Sequence, residues 1–329
     1  MSDRTLLAAQ SPLGEPRHIP YHDLGPQGEE PRVAMVAGLH GNEVNGVFVL
    51  ARLADFLTRL ESERDGRRYL SRRVVIVPAA NVLGLIARTR NWPFDQVDIN
   101  RLFPGDARGD LPERIAAAIV ALTRRAYYRV DLHSSNLDIE ELPQIRLYDP
   151  SDDERATACL FGLPAVIERP VDEAVRTTLG HAWRGSGGES FVIQAGLAGG
   201  LQPHHCQRVF HALVAFLVRC GALQGVELAN ETDLHYFGLN QSFALASEHP
   251  GFFVSQRRVG QWVRSGDILG DVYDGFSGER KVRLRAPVPG LLSALRCQPL
   301  VCEGDLVARL QSPNQLGDER GDTLAGLGQ

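Results

Sequence analysis

Two histidines and a glutamate carry the spacing that could hold a metal ion. His40 and Glu43 lie three apart in Val33-Ala-Met-Val-Ala-Gly-Leu-His-Gly-Asn-Glu-Val-Asn45, and His133 sits in Asp131-Leu-His-Ser-Ser135. Imidazole nitrogen and carboxylate oxygen suit Zn²⁺, and three protein ligands leave a fourth position open, as in catalytic rather than structural zinc sites. Each residue also has an ordinary role available. The first pair can be a helix start, with Asn42 as cap and Glu43 favoured by the helix dipole. His133 can be a buried, hydrogen-bonded histidine. Asp131, two residues before His133 on a strand, points the same way and is a candidate to orient its ring.

A second group lies in one stretch, Arg90 followed by Asp98-Ile-Asn-Arg101-Leu-Phe-Pro-Gly105. A guanidinium beside a metal can polarise a carbonyl and stabilise an oxyanion, which suits Arg90. A guanidinium paired with an amide can grip a carboxylate through charge-assisted bonds, which suits Asn100 and Arg101. A loop tied down by its own Asp98–arginine ion pair explains the same residues without chemistry. Trp92 is a candidate to cap a pocket from this loop. Arg146, Tyr148 and Arg184 are candidate pocket residues that nothing in the sequence places together, and His204 and His205 read better as helix-start or surface histidines.

These residues need elements to bring them together. The apolar run Val33–Ala37 has the composition of a buried strand, as do Arg73–Pro78 and Tyr127–Leu132, and each of the first and last feeds a candidate ligand. Adjacent parallel strands would carry His40 and His133 to one sheet edge, where open α/β sheets put their ligand sites. Between strands, 44–60 and 111–125 have helical periodicity with one apolar face. Further helices are expected over 152–161, 172–184 and 205–220, and further strands over 144–148, 165–167 and 190–195. Residues 81–110 show no periodicity, and so long a loop in a globular domain is usually functional. The alternation predicts an α/β fold: a mixed, mostly parallel sheet with helices on both faces. Residues 1–30 are expected to form an edge hairpin or irregular arm.

From about residue 225 the pattern changes to short strands punctuated by glycine, so the expected division is 1–224 and 225–311, with a disordered tail at 312–329. Arg258-Val-Gly-Gln-Trp-Val-Arg-Ser-Gly-Asp-Ile-Leu-Gly270 is echoed by Val301-Cys-Glu-Gly-Asp-Leu-Val307, with Arg285-Ala-Pro-Val-Pro-Gly-Leu-Leu292 between them. This resembles the small β-barrel of biotinyl and lipoyl carriers, but no lysine stands in the turn to carry a prosthetic group. A structural, barrel-like all-β domain is expected.

The 329 residues are 43% hydrophobic and 23% charged, ordinary values for a globular protein, and the net charge of −5 argues against general nucleic-acid binding. No apolar run approaches the roughly 20 residues of a membrane helix. The N-terminal Met-Ser-Asp-Arg-Thr leads into no signal-peptide core. The 5 scattered cysteines favour reduced thiols, so a cytoplasmic location is expected.

Gly38-Leu-His-Gly-Asn-Glu43, Asp98-Ile-Asn-Arg-Leu-Phe-Pro-Gly105, Asp131-Leu-His-Ser-Ser135 and the trailing β-domain resemble, in order and over nearly the whole chain, the succinylglutamate desuccinylase/aspartoacylase family, a branch of the zinc carboxypeptidase-like hydrolases. Thr89-Arg-Asn-Trp-Pro-Phe-Asp95 looks most like its N-acetyl-diaminobutyrate deacetylase side. The resemblance implies one Zn²⁺ per chain on His40, Glu43 and His133, Arg90 and Arg101 around the scissile bond and substrate carboxylate, and hydrolysis of a small N-acylated amino acid. A carboxypeptidase acting on a short peptide is the alternative, because the same grip serves a terminal carboxylate. No nucleic acid or membrane partner is implied, and homo-oligomer formation is left open.

One position departs from the family. Its members carry a catalytic glutamate on a late strand, typically in Glu-x-Gly, whereas this chain reads Phe191-Val-Ile-Gln194-Ala-Gly196. Glutamine is nearly isosteric but takes no proton at neutral pH, and general acid–base help is worth about 10²–10⁴ in rate. Three readings follow: an introduced Glu→Gln change in an otherwise intact enzyme, a natural relative that binds metal and ligand without turnover, or Glu189 serving from a shifted register.

Overall fold

Five consecutive apolar residues make Val33–Ala37 a strand buried on both faces, and only the centre of a sheet offers that environment. In the computed structural model, which describes residues 3–10, 16–62, 66–228 and 233–313, this strand lies between Val74–Val77 and Tyr128–His133, parallel to both. Glu189–Gly196 follows in parallel register on the far side of Tyr128–His133, pairing Tyr128 with Glu189 and His133 with Gln194. At the near edge Pro16–Leu24 runs antiparallel to Val74–Val77 and forms a hairpin with Asp3–Gln10. At the other side Ile139–Tyr148 neighbours Glu189–Gly196, and Ala165–Arg169 pairs in parallel with Gln144–Tyr148. The sheet is therefore mixed, with four adjoining parallel strands at its heart.

Helices cover both faces. Gly46 of the helix Val44–Ser62 approaches Ala37 and Leu132 so closely that a Cβ there would meet both side chains. This helix packs on Pro203–Arg219, where Phe56 and Phe210 meet edge to face. On the opposite face, Leu111–Thr123 and Leu179–Arg184 share a core with Val36, Ile99, Trp183 and the buried Trp92. Trp92 is buried within this core.

Two local expectations change. The stretch without periodicity contains a six-residue helix, Val82–Ala87, started by the Asn81 side chain accepting from Gly84 N at 2.8 Å. Six residues are too few to display an apolar period. Of the helix expected over 172–184, only Leu179–Arg184 forms, because Thr178 takes an extended cap conformation after the 3₁₀ turn Val175–Thr177 and its Oγ1 accepts from His181 N.

The described chain divides into two units, Met1–Ser134 with Pro143–Leu234, and Ser135–Leu142 with His235–Gln329. The second is built from β-strands and one 3₁₀ turn among its described residues. Ser242–Ala246, Leu306–Gln311, Gly290–Arg296 and Ile139–Glu141 form successive antiparallel pairs. Arg280–Arg285, Ile268–Tyr273, Gly251–Ser255 and Leu300–Val301 form a second antiparallel sheet. Phe253, Leu269, Val272, Leu292 and Leu310 fill its core. The expected disordered tail lies outside the described residues from 314 onward. No helix among the described residues is long and apolar enough to cross a membrane.

Candidate functional site

Because Ala37 pairs with Leu132, the strands Val33–Ala37 and Tyr128–His133 end at the same sheet edge and deliver His40 and His133 together. The turn between Ala37 and the helix is fixed from several sides: Asn81 N donates to Gly38 O at 2.7 Å, Gly41 N to Arg90 O at 3.1 Å, and Glu43 N to His40 O at 3.2 Å. Gly41 is required by proximity, since a Cβ there would overlap the Gly84 backbone.

Glu43 lies between the two imidazoles. Its Oε1 is 2.7 Å from His40 Nδ1 and its Oε2 is 3.0 Å from His133 Nδ1, with the ring centroids 5.1 Å apart. These three ligand atoms lie within 4.8 Å of one another, close enough to share one ion. The outer nitrogens face carboxylates: His40 Nε2 is 3.0 Å from Asp98 Oδ1, and His133 Nε2 is 2.9 Å from Asp131 Oδ2. An imidazole whose Nε2 proton is held by a carboxylate presents the Nδ1 lone pair inward, the arrangement by which ligand histidines are oriented. The donor set thus fits Zn²⁺. Asp131 meets His133 where its strand parity put it; Asp98, read in the sequence only as an ion-pair partner for an arginine, meets His40 and also lies 3.8 Å from Arg90 Nη2.

The remaining residues surround this centre unevenly. Arg90 Nη1 donates to Glu43 Oε1 at 3.0 Å, and Ser134 N donates to Glu43 Oε2 at 2.8 Å. Asn100 Nδ2 lies 3.4 Å from His133 Nε2, while its Oδ1 accepts from Leu179 N at 3.0 Å. Arg101 is exposed, and its Nη1 donates to Asn100 O at 3.1 Å. Gln194 is buried, beside His133 in the sheet and on the same face. Glu189 pairs with Tyr128 at the opposite end of the strand, so it does not reach this edge. His204 and His205 lie in the first turn of Pro203–Arg219.

Burial alone would raise the Glu43 carboxyl, but the His40 and His133 charges overcome it and hold it well below the usual carboxylate range. Burial would likewise lower His133; the Asp131 and Glu43 carboxylates outweigh it and push the metal-free imidazole up to about 10. Asp98 is brought down to about 2, against the effect of burial, by its hydrogen bond to His40 and by the His40 and Arg90 charges.

An amide pair that pattern reading missed, the buried Asn45 and the half-buried Gln202, anchors the segment after Gln194. Asn45 Nδ2 donates to Gln202 Oε1 at 3.1 Å, Gln202 N donates to Asn45 Oδ1 at 2.9 Å, and Leu197 N donates to Gln202 Oε1 at 2.6 Å. Gly196 (φ +71°) lets the chain pass, since a Cβ would strike both amides. Neither residue has a chemical signature; only the contact identifies them.

Residues 29–218 match the model of the succinylglutamate desuccinylase/aspartoacylase catalytic domain. The chain belongs to this family. N-alpha-acetyl-L-2,4-diaminobutyric acid deacetylase of Halomonas elongata is 30% identical over 298 residues, 86% of this chain and 82% of that protein. The product-bound ectoine utilization protein EutE (DoeB) of Ruegeria pomeroyi superposes with a TM-score of 0.75 at 24% identity, covering 94% of this chain and 93% of that one. An aspartoacylase family protein of Mesorhizobium loti gives a TM-score of 0.73 at 25% identity, covering 96% and 95%. The mixed α/β fold is the one these desuccinylase/aspartoacylase family structures share.

Proposed function

We propose that the protein is a zinc-dependent deacylase of small N-acylated amino acids, with Zn²⁺ held by His40, Glu43 and His133. The observation that carries this reading is the convergence of two imidazole Nδ1 atoms on Glu43 while carboxylates hold both Nε2 atoms. The family and the deacetylase relative support the acyl amino acid substrate. A bound Zn²⁺ supplies Lewis-acid chemistry, polarising a carbonyl and acidifying water. Arg90, half exposed beside Glu43, is positioned to stabilise negative charge developing on the substrate carbonyl oxygen. Arg101 and the Asn100 amide offer hydrogen-bond donors to the substrate carboxylate.

Gln194 limits what the chain does as it stands. A carboxylate at this position would take a proton from the attacking water and return it to the departing nitrogen. An amide can orient the water but takes no proton, so slow turnover is expected. This position is also what favours the second reading, a relative that holds metal and ligand without hydrolysing the ligand.

Two measurements test the proposal. Elemental analysis should find one zinc per chain, and its absence after zinc-supplemented expression would sink the metal assignment. N-acetyl-L-2,4-diaminobutyrate, N-acetyl-L-glutamate and short peptides should then be assayed with the Gln194→Glu protein. Cleavage of acyl amino acids supports the deacylase, trimming of peptides alone supports a carboxypeptidase, and no turnover with zinc bound leaves the binding protein.

A further inference from the structure

Gln194 is the last residue of its strand in register with Tyr128–His133: the pairing that begins at Tyr128 and Glu189 ends at His133 and Gln194. The side chain at the candidate metal edge therefore stands where this ladder stops, and the residues after it need another anchor. Gly196 (φ +71°) turns the chain there, and the carbonyls on either side of it accept from one atom. Asn45 Nδ2 donates to Ala195 O and to Leu197 O, each at 3.4 Å. The same nitrogen lies 3.4 Å from Ser134 Oγ and 3.1 Å from Gln202 Oε1. Asn45 Oδ1 has the opposite surroundings, accepting from Gln202 N at 2.9 Å and from Cys206 Sγ at 3.4 Å. Turned over, the amide would set its oxygen against three carbonyl oxygens that cannot donate, so one orientation is fixed.

This amide touches the neighbour of every part of the centre. Asn45 follows Glu43 by two residues, Ser134 follows His133, and Ala195 follows Gln194. The two sides depend on it unequally. The ligand side is tied without it, because Ser134 N donates to Glu43 Oε2 at 2.8 Å and Glu43 lies between both imidazoles. The segment after Gln194 meets the helix start through Asn45 and, three residues beyond Gly196, through Gly199 N donating to Asn42 O at 2.8 Å. Gln202 braces the contact, since its Oε1 accepts from Leu197 N at 2.6 Å as well as from Asn45.

We propose that Asn45, braced by Gln202, is a positioning residue that holds residue 194 in place against the metal ligands. It governs the proton transfer that a carboxylate at 194 performs and leaves metal binding alone. The proposal rests on the deacylase reading, which gives residue 194 its role. Misplacing a reacting group by about 1 Å can cost about 10²-fold in rate, so a contact that fixes the strand end is large enough to matter.

Two measurements test it. On the zinc-loaded chain with Gln194 in place, Asn45→Ala should quicken amide exchange over residues 195–199 by about 5- to 10-fold, as loss of a hydrogen bond does, and leave residues 128–134 unchanged. Kinetics then compare Gln194→Glu alone with the same protein carrying Asn45→Ala, Gln202→Leu or Gln202→Glu, on N-acetyl-L-2,4-diaminobutyrate or N-acetyl-L-glutamate, whichever Gln194→Glu cleaves faster. Asn45→Ala and Gln202→Leu should each lower kcat by about 10- to 100-fold, with KM and zinc affinity by chelator competition within about twofold. Gln202→Glu keeps an oxygen for Leu197 N and Asn45 Nδ2, so it should retain most of kcat. If Asn45→Ala does not fold, Gln202→Leu, at a half-buried helix start, carries the same comparison. An unchanged kcat, unchanged exchange, a zinc affinity that falls in step with kcat, or a Gln202→Glu protein as slow as Gln202→Leu overturns the positioning role alone. If Gln194→Glu by itself is inactive with zinc bound, the deacylase reading falls and the positioning role with it.

Discussion

The paired strands Tyr128–His133 and Glu189–Gly196 end in different chemistry at their two ends. At one end stand His133 and Gln194; at the other stands Arg129, fully buried four residues before His133 on the same face. Arg129 Nη1 donates to Trp183 O at 3.0 Å and Arg124 O at 3.3 Å, and Nη2 donates to Gly187 O. Its donors go to backbone carbonyls, and the result is a fixed loop after the Leu179–Arg184 helix. At the His133 end the outer imidazole nitrogens donate to the Asp131 and Asp98 carboxylates, and the inner nitrogens are directed at Glu43. Both ends bury polar groups and pair most of their atoms, with Arg129 Nε and Asp131 Oδ1 left without a hydrogen-bond partner. Only the His133 end directs two imidazole nitrogens at one carboxylate, the donor set proposed for Zn²⁺.

The comparison breaks most sharply at the ligands. His40→Ala or His133→Ala should abolish stoichiometric zinc while circular dichroism stays native, because each removes one of three proposed protein ligands; full zinc retention in either would reject the centre. Next in size is Gln194→Glu, which should raise turnover of an N-acyl amino acid by about 10²–10⁴ with zinc content unchanged. A rise in zinc affinity without a rise in turnover would instead make residue 194 a ligand. Asp131→Asn and Asp98→Asn should each weaken zinc by about 10- to 100-fold, as loss of an orienting partner does, and competition with a chelator measures this.

Proton competition sharpens the same point. The metal-free His133 imidazole, pushed up to about 10, is protonated at neutral pH, so zinc uptake should release a proton, detectable by calorimetry in buffers of different ionisation enthalpy. Affinity should climb as pH rises from 6 toward 9. Stability of the metal-free fold should run the other way: a raised histidine stabilises fully below its unfolded value near 6.5, and that contribution is lost as pH rises through about 10. Asp98, at about 2, stays ionised throughout this window and contributes no slope.

Much of this centre was legible in the sequence, for physical reasons that differ by residue. His40, Glu43 and His133 were readable because buried parallel strands are near-continuous apolar runs, and such runs announce where their ends must lie. Asp131 followed from a strand period of two. Asp98 was legible as a residue but not as a partner of His40, since its contact spans 58 positions and depends on a loop conformation with no periodic signal. The Asn45–Gln202 pair was invisible for the same reason, being a contact between two amides 157 positions apart. Arg146, Tyr148 and Arg184 stood out by type alone; only the fold brings their strand and helix together around one space.

The smallest expected effect on the centre comes from the other strand end. Arg129→Met keeps an unbranched side chain in a fully buried site but leaves the Trp183, Gly187 and Arg124 carbonyls without this donor. An unsatisfied buried group costs about 1–3 kcal/mol, and some carbonyls can find water at the Gly185–Gly188 turn, so a loss of about 3 kcal/mol in total is expected. Thermal and denaturant unfolding should register it. Zinc affinity, measured well below the melting temperature, should stay within about twofold of the unchanged protein, because Asp131 and His133 keep their own hydrogen bond. Arg129→Met and Asp131→Asn change side chains two residues apart on one strand face, so distance along the chain does not separate them. If Arg129→Met weakens zinc as much as Asp131→Asn does, the two ends act as one network, and the orienting role belongs to the whole strand face rather than to the carboxylate.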